Sequence, residues 1–553
     1  MESYSSVVAL FLLLHCVFGN PFFSHDSEGR YVSVVLDQDS QTLVVKNDVT
    51  EDFVAVGFFK NSMNESGWSK LHVTTNGIYD DMLQAEAAGI AEGYLTADHI
   101  SMTYQNTLND YCVNEKDFCE KLEQFLDDNA KWSSEQILLK TNLMSSYWQQ
   151  VALINKQLEG LLKGYLQTNT QPVLNLFNFR LLQLGGDLED IEQVLGKKNL
   201  RKVYGSGSCS AFVKLFSNNA DLVISQVTWS DYSTMLRIFK YYNFTLHDAQ
   251  GNLIPGNKQS FSSYPGSLFS GDDFYILSSG LVTQETTIGN SNPDLWKYVK
   301  PTSLMEWVRN IVANRLASTA SEWCYLFERY NSGTYNNQWM VLDYKLFEAG
   351  KPIKPDTFWV LEQLPGIVQM ADMSVYLQDN GYWASYNIPY FPYIYNISGV
   401  SESLKMYGDW FDYNLNPRAQ IFKRDHTKVS DMQSLFKLMR YNDFKNDPFG
   451  KCNCTPPYSA ENAISSRNDL NPANGSYPFG ALSHRKHGAT DCKATNSQLA
   501  KTLSQFIVSG PTFDQQPPFQ WSKTEWSRPL GHPDVFHFDP ILLDWSKEDW
   551  IHL

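Results

Sequence analysis

Long hydrophobic runs, excess basic charge and abundant cysteine are all missing from this sequence. Residues 7–18 form one short apolar run, which is too short to span a bilayer and ends beside Gly19. This pattern predicts a secretory signal peptide over residues 1–19. With 60 acidic and 44 basic residues, the net charge of −16 argues against nucleic acid as a partner and against a polybasic membrane anchor. We expect no transmembrane segment and a location in the lysosome or outside the cell.

Common catalytic signatures are also absent. No GxSxG nucleophile elbow occurs, so an ordinary α/β-hydrolase lipase is not expected. No HExxH, no GxxxxGK[ST] and no GxGxxG at the start of a helix is present. His484 and His487 are close together but provide too few ligands for a zinc site, so surface histidines are the better interpretation. The sequence implies no metal and no cofactor.

Cysteine is scarce, and its count is informative. Eight cysteines occur in the chain, and one of them would leave with the signal peptide. An odd remainder in an oxidising compartment requires at least one free thiol, unless two chains are cross-linked. Cys112 and Cys119 are close enough in sequence to predict one bridge. Cys452, Cys454 and Cys492 offer a second bridge with one partner left over, and we take Cys454 with Cys492.

Five Asn-x-Ser/Thr sequons agree with a secreted protein. One such triplet can occur by chance, but five behind a signal peptide carry more weight. They predict N-glycosylation at Asn64, Asn243, Asn396, Asn453 and Asn474.

Apolar and aromatic residues are what the chain does have in quantity. At 43% hydrophobic and 14% aromatic residues it can bury a large interior, which excludes global disorder. Alternating patterns predict strands at 31–36, 42–46, 53–58, 67–73, 210–216, 222–225, 274–277, 281–287, 338–347 and 357–363. Helical spacing predicts helices at 80–93, 117–165, 179–195 with a break at Gly185-Gly186, 233–242, 303–320 and 431–441. We interpret 117–165 as a helical layer over a sheet, 381–395 as a packed loop, and the segment from 511 as a wrapping tail.

Residues 205–216, GSGSCSAFVKLF, join a small flexible loop to a cysteine that begins a strand. The GSGS portion is typical of an exposed, cleavable loop. A cut between Ser208 and Cys209 would give Cys209 a free α-amino group beside its thiol, so one residue would supply both nucleophile and base. The thiol could make this cut itself by attacking the Ser208 carbonyl. The alternative is an inert cysteine buried at the start of a core strand.

Three further segments extend the pattern: LVISQVTWSDY at 222–232, YNSGTYNNQWMVLDY at 330–344 and SRNDLNPANGSYPF at 466–479. With GSGSCSAFVKLF, they make the chain similar to the phospholipase B-like family over nearly its whole length after the leader. The resemblance implies an α+β fold of the N-terminal nucleophile hydrolase class, a four-layer αββα sandwich with mostly antiparallel sheets. Residues 20–208 and 209–553 would then be two fragments of one sandwich, with a homodimer left open.

The neighbourhood of Cys209 suggests supporting residues. Thr228, on the adjacent strand, is a predicted hydrogen-bond partner of the Cys209 amine, and Trp229 is a predicted pocket wall. In related N-terminal cysteine hydrolases an asparagine serves the oxyanion, and the resemblance carries this role over to Asn331. The alternative is that Asn331 and Gly333 only make a turn.

Three more polar positions have open roles. Arg467 would either neutralise a substrate phosphate or position a carbonyl, or else form a structural ion pair. Some members of the family have a histidine where this chain has Gln226, so no imidazole base is expected here. Asn336 and Asn337 are weaker site candidates.

The resemblance implies a hydrolase that removes fatty acyl chains from glycerophospholipids through a thioester on Cys209. Small N-acyl amides or peptides are alternative substrates, because N-terminal nucleophile folds mostly cleave amides. A hypothesis from another class is a lipid- or glycan-binding glycoprotein that has lost catalysis, which Gln226 favours. A mature fragment that begins with Cys209 would favour the enzyme.

Overall fold

The computed structural model describes residues 29–141, 145–200 and 203–548. The predicted signal peptide lies outside the described residues. The strands are β1 (Arg30–Leu36), β2 (Leu43–Lys46), β3 (Phe53–Lys60), β4 (Ser69–Thr75), β5 (Cys209–Leu215), β6 (Leu222–Asp231), β7 (Ile238–Asn243), β8 (Lys258–Ser263), β9 (Phe274–Leu277), β10 (Leu281–Thr287), β11 (Asn337–Asp343), β12 (Phe358–Leu364), β13 (Ile367–Asp372), β14 (Tyr382–Ser385), β15 (His487–Ala489), β16 (Asp491–Asn496), β17 (Gln505–Ser509), β18 (Phe519–Gln520), β19 (Val535–Phe536) and β20 (Ile541–Leu543).

The α-helices of the described residues all lie between strands. They are α1 (Met63–Ser66), α2 (Asp81–Leu95), α3 (Ala97–Thr107), α4 (Lys116–Thr141), α5 (Ser146–Leu166), α6 (Leu176–Leu184), α7 (Asp187–Leu195), α8 (Glu306–Leu316), α9 (Ala320–Glu328), α10 (Ser374–Asn380), α11 (Pro392–Ile397), α12 (Val400–Tyr407), α13 (Pro417–Asp425) and α14 (Met432–Met439). Among the described residues, no helix is both long enough and apolar enough to cross a membrane.

Two sheets dominate the molecule. The large sheet has eleven strands in the order β13-β12-β11-β10-β9-β8-β7-β4-β3-β1-β2. The small sheet has seven strands, with β14-β5-β6-β16-β17-β20 in order and β15 beside β6. Neighbouring strands pair antiparallel except β4 and β7, which run parallel from Ser69 opposite Ile238 to Thr74 opposite Asn243. The large sheet therefore contains strands from both sides of the predicted cut.

The two sheets pack face to face, as the alternation along their strands shows. In β9, Phe274 and Ile276 join an apolar cluster with Val213 of the small sheet. Tyr275, between them, instead joins a cluster of helix residues on the other face of the large sheet. In β5, Phe212 points away from Val213 into a third cluster, which α13 and α14 complete. Helices thus cover the outward faces of both sheets.

Glycines bring the helical layer together. A Cβ added at Gly89 of α2 would lie 2.1 Å from the Gln157 carbonyl oxygen, and one at Gly93 would lie 2.1 Å from that of Leu161. A Cβ added at Gly160 of α5 would likewise lie 2.1 Å from the Glu86 carbonyl oxygen. Only glycine permits this backbone approach, so α2 and α5 cross in direct contact. The predicted helical layer over a sheet is confirmed for this region.

Several sequence predictions need correction. The sequence predicts a helix at 233–242, but 238–243 form β7, because pairing with β4 and β8 outweighs the local pattern. The predicted loop 381–395 instead contains β14 and the beginning of α11. The predicted bridge between Cys454 and Cys492 is wrong, since Cys452 pairs with Cys454. Cys492 is a free thiol buried in β16.

Other predictions are confirmed. Cys112 and Cys119 form a disulfide. The helix predicted over 179–195 is broken at Gly185-Gly186, as α6 and α7 show. The odd cysteine count leaves free thiols, and in the described part of the chain these are Cys209, Cys324 and Cys492, all buried.

Candidate active site around Cys209

Cys209 is the first residue of β5 and lies opposite Thr228 of β6. It follows the segment between the end of α7 at Leu195 and the start of β5 at Cys209, which we call the linker and which leads from the helical layer into the small sheet. Its side chain shares the face of Ala211 and Val213, which point between the two sheets. Because Cys209 is only 3% exposed, its thiol is sealed from solvent.

The peptide bond before Cys209 is held by backbone and side-chain groups. The Trp229 amide donates to the Ser208 carbonyl oxygen at 2.5 Å. The Arg418 guanidinium donates to the Cys209 carbonyl oxygen at 2.6 Å. The Ser208 amide donates to Oδ1 of Asn387 at 3.2 Å. A backbone N–H on the Ser208 oxygen is placed to stabilise the oxyanion that would form if a thiol attacked this carbonyl.

The linker before the cut lies in a closely fitted groove. The Gly207 amide donates to Oε1 of Glu461 at 3.3 Å. A Cβ on Gly207 would lie 2.7 Å from the Trp229 ring, so only glycine fits beside this side chain. The Arg418 guanidinium stacks on the same ring system, 4.3 Å from its centroid. Trp229 therefore packs against the linker, and its role as a wall of the substrate pocket stays a prediction.

A compact group of buried charges lies beside Thr228. Lys493 donates to Thr228 Oγ1 at 2.7 Å and to Asp272 and Asp491 at 2.8 Å each. Thr228 in turn donates to Asp272 at 3.0 Å. Arg237 pairs with both carboxylates, at 2.9 Å for Asp491. Two acids and two bases thus offset one another in a region without solvent, which is the arrangement that buried charges require.

These surroundings shift the ionisation of the site. Burial, assisted by the nearby Glu285, raises the pKa of the Cys209 thiol well above its ordinary value. Burial alone would raise the pKa of Asp272, but Arg237 and Lys493 hold it below its ordinary value. Burial opposes the charge of Lys493, yet Asp272 and Asp491 raise its pKa. The uncut thiol is therefore protonated, beside a network that is charged.

A second group of carboxyls lies on the helix-covered face of the large sheet. Burial and mutual repulsion raise the pKa values of Asp273, Glu285 and Glu306 well above their ordinary range. Burial raises the pKa of Asp187 to about 6. Among the described residues, none donates a hydrogen bond to the second buried oxygen of any of these four side chains. Such an arrangement is stable only when most of the group is protonated.

Gln226 has a structural position between the sheets. Its amide donates to the carbonyl oxygens of Asp272 and Glu285 at 2.7 Å each. The residue at this position thus ties β6 to the strands of the large sheet. Nothing in these contacts gives Gln226 the role of a base.

The other predicted site residues lie in separate networks. The Asn331 amide nitrogen donates to the Leu364 carbonyl at 2.9 Å, and its oxygen accepts from Gly333 at 2.8 Å. These are the contacts expected if Asn331 and Gly333 only make a turn. The role of Asn331 in stabilising an oxyanion stays a prediction. Arg467 is buried in an ion pair with Asp469 at 2.8 Å, the structural alternative considered for it.

Asn336 and Asn337 also lie apart from the scissile bond. Asn336 donates to Asp190 of α7 at 3.0 Å and so joins the chain segments on both sides of the cut. Asn337 begins β11 opposite Thr287, and both polar atoms of its buried amide lack a partner within the described part of the chain. Neither contact set includes Cys209.

The sequons lie at the surface with one exception. Asn64, Asn396, Asn453 and Asn474 are exposed, whereas Asn243 is half-buried at the end of β7. Their glycosylation stays a prediction.

Four residues around the scissile bond could not be found from the sequence: Asn387, Arg418, Glu461 and Lys493. They come from segments far along the chain, and no motif marks them. The one local signal is Asn416-Pro417, a helix start that predicts where α13 begins and so places Arg418 in its first turn.

Comparison with known proteins identifies the family. Residues 55–543 match the family described as Phospholipase B, and the chain belongs to this family. Phospholipase B-like 2 of Mus musculus is 48% identical over 532 residues, covering 94% of this chain and 89% of the mouse protein. Phospholipase B-like 1 of Caenorhabditis elegans is 42% identical over 520 residues, covering 90% and 89% of the two chains. Phospholipase B-like protein B of Dictyostelium discoideum is 39% identical over 514 residues, covering 90% and 86%.

Proposed function

We propose that this chain is an acyl hydrolase of the N-terminal nucleophile class, matured by cleavage between Ser208 and Cys209. The observation that carries the proposal is the bond from the Trp229 amide to the Ser208 carbonyl oxygen, at the peptide that Cys209 would attack. The packed sheets with helices on both outer faces fit the four-layer αββα architecture of that class. Family membership supports a phospholipase-related activity.

In the proposed self-cleavage, the Cys209 sulfur bonds to the Ser208 carbonyl carbon while the thiol proton is transferred. The Trp229 N–H holds the resulting oxyanion. The C–N bond then breaks, the nitrogen takes up the proton that the thiol gave up and becomes the α-amine of Cys209, and Ser208 is left as a thioester. Water hydrolyses this thioester, releasing the Ser208 carboxylate and restoring the thiol.

Maturation would change the chemistry of Cys209. An α-amine has an ordinary pKa of about 8, so it can accept the thiol proton near neutrality, directly or through water. The matured residue would then attack the ester carbonyl of a glycerophospholipid, pass its acyl chain through a thioester, and release a fatty acid. Departure of the linker would also uncover a thiol that is sealed in the uncut chain.

Amides are the second candidate substrates. The bond that Cys209 would attack in self-cleavage is itself a peptide, and the Ser208 and Gly207 N–H groups on its acyl side donate to Asn387 and Glu461. A site that positions its own amide for attack has the geometry to bind another. N-acyl amides and small peptides therefore join phospholipids as candidates.

Intact mass and turnover test the proposal together. We expect the purified protein to contain a fragment that begins with Cys209, and Cys209→Ala to remain a single chain. The matured protein should hydrolyse at least one member of a panel of phospholipids and N-acyl amides at acid pH. A wild-type chain that stays uncut, or turnover that is identical in Cys209→Ala, would exclude Cys209 as the nucleophile.

We also propose that the protein belongs to the secretory pathway, in the lysosome or outside the cell. The buried carboxyls of Asp187, Asp273, Glu285 and Glu306 support an acidic compartment, because protonation suits their surroundings. Tagged protein that accumulates in the cytosol would contradict this location.

A further inference from the structure

The linker occupies the place of an acyl group in the proposed reaction. In self-cleavage, the residues up to Ser208 are the acyl part of the bond that breaks. Their contacts therefore report what the acyl side of the groove recognises. We propose, on the basis of the proposed function, that Glu461 selects acyl groups that carry an N–H donor where the Gly207 amide lies.

Glu461 is built into the groove and oriented toward the linker. The side chain is 1% exposed in the uncut chain. Its Oε2 accepts from Ser466 at 2.8 Å and pairs with Arg485 at 3.5 Å, which fixes the carboxylate. Its Oε1 accepts from the Gly207 amide at 3.3 Å. When the linker leaves, Oε1 loses that donor and needs another from water or substrate.

The groove also restricts the shape of the acyl group. A Cβ at Gly207 would lie 2.7 Å from the Trp229 ring and 3.1 Å from Arg418. A Cβ at Gly205 would lie 3.0 Å from Phe479 and 3.3 Å from Phe411. An unbranched unit passes these aromatic walls, and both a glycine residue and a methylene chain meet that condition. Shape alone does not separate peptide from hydrocarbon.

Hydrogen bonding does separate them. A glycyl unit offers its N–H to Oε1, whereas a hydrocarbon chain covers Oε1 without providing a donor. Leaving a buried acceptor unpaired weakens binding on the order of 10- to 100-fold. The acyl class that fits is a short peptide with glycine as its second-last residue, such as the Gly-Ser-Gly-Ser sequence of the linker itself.

A pair of probes that differs by one atom group tests this directly. The first is the tetrapeptide acid Gly-Ser-Gly-Ser, the carboxyl product of self-cleavage. The second is its depsipeptide, with an ester oxygen in place of the N–H of the second glycine. Binding to the matured protein is measured by calorimetry at pH 5. We expect the peptide to bind at least tenfold more tightly.

Variants at Glu461 separate recognition from folding. Glu461→Gln keeps an acceptor oxygen and should retain most of the preference for the peptide. Glu461→Met removes the acceptor and should bind both probes equally. Glu402→Met, at a carboxylate exposed on α12 and paired with Lys405, is the matched control and should behave as wild type.

The outcomes distinguish the two proposals. A wild-type protein that is cut before Cys209 but binds both probes equally overturns the role of Glu461 and leaves the proposed function standing. If Glu461→Met does not fold, the affinities of the peptide and the depsipeptide for the wild-type protein still test the role of Glu461. A chain that is never cut overturns both proposals.

Discussion

At Gly207, the missing side chain allows the linker just before the proposed scissile peptide to lie against the Trp229 ring. A Cβ added there would lie 2.7 Å from the ring, which is closer than van der Waals packing permits. Gly207→Val should therefore push the Ser208 carbonyl away from the Trp229 amide. Overpacking of this kind costs about 1–3 kcal/mol, and we expect self-cleavage to slow roughly 10- to 100-fold. The fraction of cut chain over time on denaturing gels measures the effect.

The matched control is Gly196→Asn, upstream in the same linker. Gly196 has φ of +73°, and apart from its chain neighbours no atom of the described residues lies within 4 Å of an added Cβ. Asparagine tolerates this left-handed backbone better than other side chains. The Gly196→Asn chain should therefore be cut at the wild-type rate. Equal slowing of both variants would show that the linker as a whole, and not the contact with Trp229, controls cleavage.

Replacing Lys493 should lower the stability of the folded protein. Lys493→Met removes one base from a buried group of four charges and leaves Asp272 and Asp491 with Arg237 alone. Breaking a buried pair in this way destabilises a protein by about 3–5 kcal/mol. We expect lower thermal and urea midpoints for the uncut Cys209→Ala background. Lys501→Met, at an exposed lysine, is the control, and equal midpoints in the two variants would contradict the prediction.

The sequence is informative at this scale only where neighbours in the chain are also neighbours in space. Cys209 and Ser208 follow from one motif, and Thr228 lies opposite Cys209 because a short turn joins β5 to β6. Arg418 and Glu461 bind the backbone on the two sides of the Ser208–Cys209 peptide, at the Cys209 carbonyl and the Gly207 amide, from more than two hundred residues away. No local pattern encodes such contacts.

At the scale of elements, β7 shows how tertiary pairing overrides local sequence. Residues 233–242 have mixed apolar and polar positions that suit a helix, yet 238–243 lie between β4 and β8 in the large sheet. The strands β3, β9 and β10 are also buried on both faces, yet they lie within a few residues of their predicted bounds because they are short segments rich in apolar and β-branched residues. Periodicity identifies an exposed element well, but a strand buried on both faces carries little periodic signal.

The same strand predicts how the cut fragments behave. β4 precedes the cut and β7 follows it, and their six paired residues make one continuous sheet. Separating the fragments would expose this edge and the apolar layer above it. We therefore expect one peak for the cut protein in native size exclusion, but two bands on a denaturing gel. Dissociation of the fragments without denaturant would contradict the shared sheet.

At the scale of the whole molecule, pH acts on two sets of buried groups in opposite directions. Burial lowers the pKa of His72 to about 3 and that of His99 to about 4. The unfolded chain takes up these protons near pH 6.5 and the folded chain does not, so stability falls as the pH drops below that value. The buried carboxyls oppose this loss, because their raised pKa values let the folded chain hold protons that the unfolded chain has released.

Asp187 allows the carboxyl contribution to be measured alone. It lies before the cut, while its partners, the Glu306 amide at 3.2 Å and the Thr334 hydroxyl, lie after it. With a folded pKa of about 6 against an ordinary 3.8, the stability it gives at low pH is lost as the pH rises from about 4 through 6. Asp187→Asn imitates the protonated form at every pH.

We therefore expect Asp187→Asn to exceed the wild type in stability by only a small amount at pH 4.5 and by much more at pH 7.5. A difference of about two pKa units corresponds to about 3 kcal/mol. Thermal midpoints by calorimetry at the two pH values measure the effect, with the exposed Asp294→Asn as a control that should be neutral at both. The histidines contribute equally to variant and wild type, so they cancel in the comparison. A variant that loses stability equally at both pH values would show that Asp187 is charged in the folded protein, and that the contact between the fragments does not depend on its protonation.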